Sequence, residues 1–104
     1  MPYIIRNTDK YDDEVFEIVL HIATSSNKKI ALDYLDDIKQ ATTILADFPE
    51  CGSIPRNAVL RKQGYRILVV AKHHSVFYKI NHEKKEVILY HLVDTRRNYI
   101  KLIK

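Results

Sequence analysis

Between residues 65 and 93 the chain reads as three extended runs joined by connections too short for a crossover. Residues 65–72 (YRILVVAK) are almost wholly apolar, as expected of a central strand. Residues 75–80 (SVFYKI) form a second run and residues 86–93 (EVILYHLV) a third, with the polar turn NHEKK between them. Short connections admit only antiparallel neighbours, so these three runs predict a meander. Whatever else the chain does, it must cover at least one face of that sheet.

Two helical stripes precede the meander and can do so. Tyr11, Val15, Ile18, Val19 and Ile22 recur at helical spacing, with Thr8 or Asp9 as the cap and Asp12, Asp13 and Glu14 in the early turns. Ser25, Ser26 and Asn27 break this helix near Thr24, and one of them caps the next. Ile30, Tyr34, Ile38, Ala41, Leu45 and Phe48 then step by three or four until Pro49 ends the ladder. Residues 49–64 are punctuated by Pro49, Gly52, Pro55 and Gly64 and read as irregular. A short strand is expected at 3–6 and a closing helical segment at 94–103, capped by Asp94 or Thr95. The expected fold is therefore α+β and two-layered. Its order is β-α-α-β-β-β, an antiparallel sheet on a helical hairpin with a short C-terminal helix, as one domain over 1–104. The second face of the sheet is left partly open. Alternation puts Arg66, Leu68 and Val70 on one face, and Val87, Leu89, His91 and Val93 together on one face.

Composition narrows the setting. At 104 residues with 46% hydrophobic content the chain can bury a core without staples, and the single Cys51 cannot make an internal disulfide. A reducing cytoplasm is the expected compartment. The first ten residues lack the apolar stretch of a secretory leader, and the apolar run at 67–71 is far too short to span a bilayer. No membrane association is expected. Charge is unevenly placed: residues 1–52 carry 5 Lys/Arg against 10 Asp/Glu, residues 53–104 carry 12 against 3, and the net is +4. Such asymmetry points to an anionic partner for the C-terminal half, nucleic acid or acidic protein.

No phosphate loop, paired C-x2-C, H-E-x-x-H or G-x-S-x-G is present. Cys51 reads as an ordinary free thiol. His73 and His74 are adjacent on an extended segment, so their side chains diverge and cannot easily share a metal. No metal or cofactor is expected. The remaining constellation is basic: Arg66, Arg96 and Arg97, with His91 and Tyr99 near them and Arg56, Arg61, Lys62 and Lys72 on neighbouring segments. Attack of a ribose 2′-OH on its own phosphate needs a base, an acid and a partner for the dianionic phosphorane. Arginine suits the phosphate, and histidine or tyrosine can move protons. Equally, Arg96 and Arg97 can cap a helix or solvate a surface, with Tyr99 in the core.

The segments ALDYLDDIKQATTILADFPECG, GYRILVV, VFYKI and VILYHLVDTRRNYIKLI, in that order, resemble the RelE/ParE superfamily of bacterial toxins, of plasmid-stabilisation type, over nearly the whole chain. The resemblance implies a toxin of a type II toxin–antitoxin system, neutralised by a small cognate antitoxin, which also supplies most of the operator-DNA contact. RelE-like members are mRNA interferases: they bind the ribosome and cut mRNA without a metal, arresting growth. ParE-like members instead block DNA gyrase with no chemistry of their own. In the first case the resemblance makes Arg66, His91, Arg97 and Tyr99 catalytic, and Arg61, Lys62, Lys72 and Arg96 RNA contacts. His91 stands where many ParE-like relatives carry Arg, and only Arg61 and Lys62 stand where RelE carries paired lysines. The reading favours the endoribonuclease, with gyrase inhibition as the alternative.

Overall fold

A computed structural model describes residues 2–71 and 73–96. Lys72, Arg97 and Tyr99 lie outside them, as does most of the helical segment expected at 94–103. Strand β1 (Ile4–Asn7) leads into helices α1 (Asp9–Ser25) and α2 (Lys28–Thr43), the latter extended by a 3-10 turn at Ile44–Ala46. A short helix, α3 (Ala58–Lys62), precedes strands β2 (Arg66–Ala71), β3 (His74–Asn81) and β4 (Glu86–Asp94). The sheet order is β1-β4-β3-β2, with β1 parallel to β4 and the other pairs antiparallel. The α+β plan and the meander follow the sequence reading, and β1 takes one edge beside β4. Strand β2, expected to be central from its apolar run, is instead the other edge strand, beside β3, most of its apolar residues being covered by packing on both faces of the sheet. Among the described residues no helix is long and apolar enough to cross a membrane.

The helix starts are set by side chains. Thr8 is extended, and its hydroxyl oxygen accepts from the Tyr11 N–H at 3.2 Å while donating to the Leu89 carbonyl at 2.9 Å. One residue thus starts α1 and ties it to β4. Asn27 caps α2 by accepting from the Ile30 N–H at 2.9 Å.

The buried face of α2 departs from the expected stripe. Ile30 and Phe48 are 50% and 64% exposed, whereas Ala31, Ile38, Thr42 and Leu45 face the sheet. The Thr42 hydroxyl donates to the Ile38 carbonyl at 2.9 Å, so its burial leaves no polar atom unpaired.

The sheet has apolar clusters on both sides. On the helix side, Tyr11, Ile38 and Leu45 pack with Val76, Tyr78, Val87, Leu89 and Leu92. On the far side, Leu60, Tyr65, Phe77 and Val93 form a second cluster, so this face is less open than the sequence suggests. The grouping of Val87, Leu89, His91 and Val93 on one face is also overturned. Phe77 pairs with His91 and Tyr78 with Leu89, which leaves Tyr90 as an extra, bulged residue. After it the alternation changes phase: Leu92 joins Val87 and Leu89 on the helix side, while Tyr90 and Val93 join the far side.

The stretch 49–64 is more ordered than its prolines and glycines suggest. Asn57 accepts from the Leu60 N–H and starts α3. At its end Gly64 takes a φ of 86°, its N–H reaches the Arg61 carbonyl and the Tyr65 N–H reaches the Leu60 carbonyl. That is a Schellman closure, with Tyr65 folded back towards Leu60. Upstream, the buried Tyr78 hydroxyl donates to the Pro49 carbonyl at 2.7 Å and accepts from the Gly52 N–H at 3.0 Å. A Cβ on Gly52 would lie 2.5 Å from that hydroxyl and 2.7 Å from the Ile67 carbonyl. Gly52→Ala therefore forces strand or loop to move, with an expected loss of about 1–3 kcal/mol. Tyr78→Phe leaves two polar groups without their partner and costs about 1–3 kcal/mol. Urea unfolding of the three proteins checks both losses, and unchanged midpoints would contradict the account.

Candidate functional site

Of the catalytic residues expected from sequence, the two described ones, Arg66 and His91, lie on different faces of the sheet. Arg66 opens β2 opposite Tyr78, and cross-strand partners share a face, so it lies on the helix-facing side. Its Nη2 donates to the Glu50 carbonyl at 2.9 Å, and its buried Nε has no hydrogen-bond partner. His91 pairs with Phe77 and so belongs to the far side. The two are close in strand register, and it is the face that separates them.

His91 is engaged elsewhere. Its Nδ1 is 3.2 Å from Oε1 of Glu14 on α1, and the same carboxylate oxygen accepts from the Leu92 N–H at 3.4 Å. Strand β1 pairs with β4 only as far as Leu89, so Glu14 serves the β4 edge beyond the last β1 pair.

Two of the expected RNA-contacting residues, Arg61 and Arg96, are similarly occupied. Arg61 donates through Nη1 to the carbonyls of Pro55 and Arg56, at 3.4 and 3.0 Å. Arg96 forms a two-pronged pair with Asp94, at 3.1 and 2.8 Å, and its own N–H reaches the same carboxylate at 2.9 Å. The Arg96 hydrogen bonds hold the Asp94 carboxyl far below the usual carboxylate range. Lys62 is exposed on the last turn of α3. Neither Lys72 nor Arg97 nor Tyr99 can be placed in this geometry, since all three lie outside the described residues.

What the fold does assemble on the far side is an aromatic group around one cation. Tyr65 crosses from the start of β2 towards β4, with ring centroids 6.2 Å from Phe77, 5.7 Å from Tyr90 and 6.3 Å from His91. Lys79 of β3 places its Nζ 4.5 Å from the centre of the Tyr65 ring and 5.0 Å from that of Tyr90. Burial, and secondarily Tyr90, raises the pKa of the Tyr65 hydroxyl, which keeps it protonated and a donor. The sequence reading missed Lys79, Tyr65 and Tyr90 as a set. The signal was present in the Gly-Tyr-Arg and Phe-Tyr-Lys-Ile segments, and alternation along β4 already sets Tyr90 on the face opposite Leu89. No group of three or more His, Cys, Asp or Glu suited to a metal occurs among the described residues.

Two clefts flank α1. One, of about 340 Å³, lies between α1 and α2 and is largely apolar, including Tyr11, Val15, Phe16, Val19, Leu35 and Ile38. The other, of about 560 Å³, lies between α1 and the β3–β4 end and includes Glu14, Glu17, His21, His74, Asp94 and Arg96. Burial is the main cause that lowers the His74 pKa there.

With this geometry in place, comparison with known proteins is informative. Residues 5–99 match the family model described as the ParE toxin of type II toxin–antitoxin systems, parDE. The chain belongs to the ParE toxin family. Among solved structures, the toxin resembles one from the chromosomal ParDE system of P. aeruginosa, at 17% identity and a TM-score of 0.73, over 88% of this chain and 95% of that one. It also resembles one from the toxin–antitoxin complex RelBE2 of Mycobacterium tuberculosis, at 16% identity and a TM-score of 0.61, over 90% and 99%. These two likenesses establish the shared fold. Among curated proteins, none matches the chain.

The Asp94–Arg96 pair makes a pH prediction for the toxin. A carboxyl whose folded pKa is depressed adds stability above its unfolded value, about 4, and loses it as pH falls through the folded value. The stability gap between the wild type and Asp94→Asn is therefore expected to be constant at neutral pH and to shrink on acidification below that range. Melting temperatures of both proteins across pH check this, and a gap that widens in acid would refute it.

Proposed function

We propose that this toxin acts as a ParE-type inhibitor of DNA gyrase, by protein–protein binding and without chemistry of its own, and that a small cognate antitoxin neutralises it in the cytoplasm. One observation carries the reading. Arg66 and His91, the two described members of the expected cleavage set, lie on opposite faces of the sheet, and each is already engaged within the fold. An RNA phosphate needs its acid, base and guanidinium within one contact distance. The ParE family match supports the same choice.

The antitoxin assignment draws on that family and on the neighbours, which come from toxin–antitoxin systems. The apolar cleft between α1 and α2, beside a Phe16 that is 65% exposed, offers a seat for an amphipathic segment. Contact with operator DNA would come through the antitoxin.

Inducing the protein alone, with supercoiling and mRNA ends followed in parallel, tests the reading. Growth arrest with lost negative supercoiling and intact messages is expected. Codon-positioned cuts in translated messages, with gyrase unimpaired, would transfer the toxin to the alternative: a ribosome-dependent, metal-free mRNA endonuclease.

A further inference from the structure

The far side of the sheet holds one lysine whose placement the proposed function does not use. Lys79 stands between the rings of Tyr65 and Tyr90, and among the described residues it has no acidic partner. Ring faces attract an ammonium group but do not neutralise it. With its ammonium already held between two rings, less rotamer freedom is lost when an anion arrives.

This chemistry suits a carboxylate on an otherwise apolar peptide better than a phosphate chain. A nucleic-acid backbone is tracked by several free cations. Three arginines of this half are turned elsewhere: Arg61 onto loop carbonyls, Arg66 onto Glu50 and Arg96 onto Asp94. One ordered, partly desolvated cation in an aromatic bed can instead form a single close ion pair, stronger than one between two solvated side chains. The excess of 12 Lys/Arg over 3 Asp/Glu in residues 53–104 favours the approach of an acidic segment to this half of the chain.

We propose that Lys79, held between Tyr65 and Tyr90, is the anchor for an acidic side chain of the cognate antitoxin, seated on the far face of the sheet. The inference rests on the reading that an antitoxin pairs with this chain. It is independent of whether the toxin's target is gyrase or mRNA.

The test uses the full chain co-expressed with its antitoxin, then separated and refolded. Dissociation constants are measured at low and moderate salt for the wild type, Lys79→Met and Lys79→Arg. Methionine keeps the apolar stem and removes the charge; it is expected to weaken binding about ten-fold or more and to flatten the salt dependence. Arginine keeps the charge and should remain within about three-fold of the wild type. A mapping experiment needs no variant and decides the matter if Lys79→Met fails to fold. An amine-acylating reagent is applied to the free and antitoxin-bound wild type, with the exposed Lys62 as reference. Lys79 is expected to be modified in the free toxin and protected in the complex. Equal modification in both states, or a Lys79→Met variant that binds as tightly as the wild type, would overturn the proposal. So would protection of Lys79 by an RNA oligonucleotide but not by the antitoxin. A wild type that binds no antitoxin at all would instead remove the pairing reading beneath it.

Discussion

The extra residue at Tyr90 sets the character of both faces of this sheet. Up to Leu89 the fourth strand alternates in phase with its neighbour, and its apolar residues meet the helical hairpin. A regular strand would then turn His91 and Val93 towards the hairpin and leave Tyr90 and Leu92 on the far side. The bulge absorbs one residue, so Leu92 stays in the helix-side core and Val93 is freed for the other. Tyr90 keeps the far-side place beside Tyr65 and Lys79 that regular alternation would give it, while the same step brings His91 to the strand edge where Glu14 meets it. Both cores and the α1–β4 clasp thus depend on a single local irregularity.

A second fixed point lies under the loop after α2. The Tyr78 side chain belongs to the main core, yet its hydroxyl reaches the Pro49 carbonyl and the Gly52 N–H. Burial and these contacts immobilise a loop that otherwise has little secondary structure. The loop's Glu50 carbonyl then takes the Arg66 guanidinium. An arginine that would suit a phosphate is in this way committed to holding the loop. The Phe-Pro-x-x-Gly segment has a matching physical content: Pro49 supplies an acceptor, and Gly52 supplies a backbone with no Cβ where a tyrosine hydroxyl comes within hydrogen-bonding reach.

Much of this architecture was legible in the sequence because its signals are local. Thr8 and Asn27 announce their helices through side-chain oxygens, and the three strand runs are separated by turns that permit only one relative direction. Helix α3 was not legible. At five residues it is below the length at which periodicity speaks, and its cap Asn57 and terminal Gly64 sit in a stretch whose prolines read as loop. The α2 stripe was misjudged at Ile30 and Phe48 for a different reason. Hydrophobicity alone favours those two, but the buried face of α2 runs through Ala31, Ile38 and Thr42, and two of these are not large hydrophobic residues. For the site, residue types were visible and directions were not. Whether Arg66 and His91 meet is decided by the phase of two strands, and one inserted residue changes it.

Net charge and available charge also separate in this fold. The C-terminal half is strongly basic, which on composition alone suggests a phosphate-binding surface. Yet Arg61 is bound to loop carbonyls, Arg66 to a carbonyl and Arg96 to a carboxylate of its own strand end. These guanidinium groups still contribute to the long-range field that draws an anionic partner closer, but their donors are already directed. Lys79 differs because aromatic rings hold it without consuming its charge. A surface built this way steers through many cations and docks through few, which suits recognition of an acidic protein segment better than repeated contact along a nucleic-acid backbone.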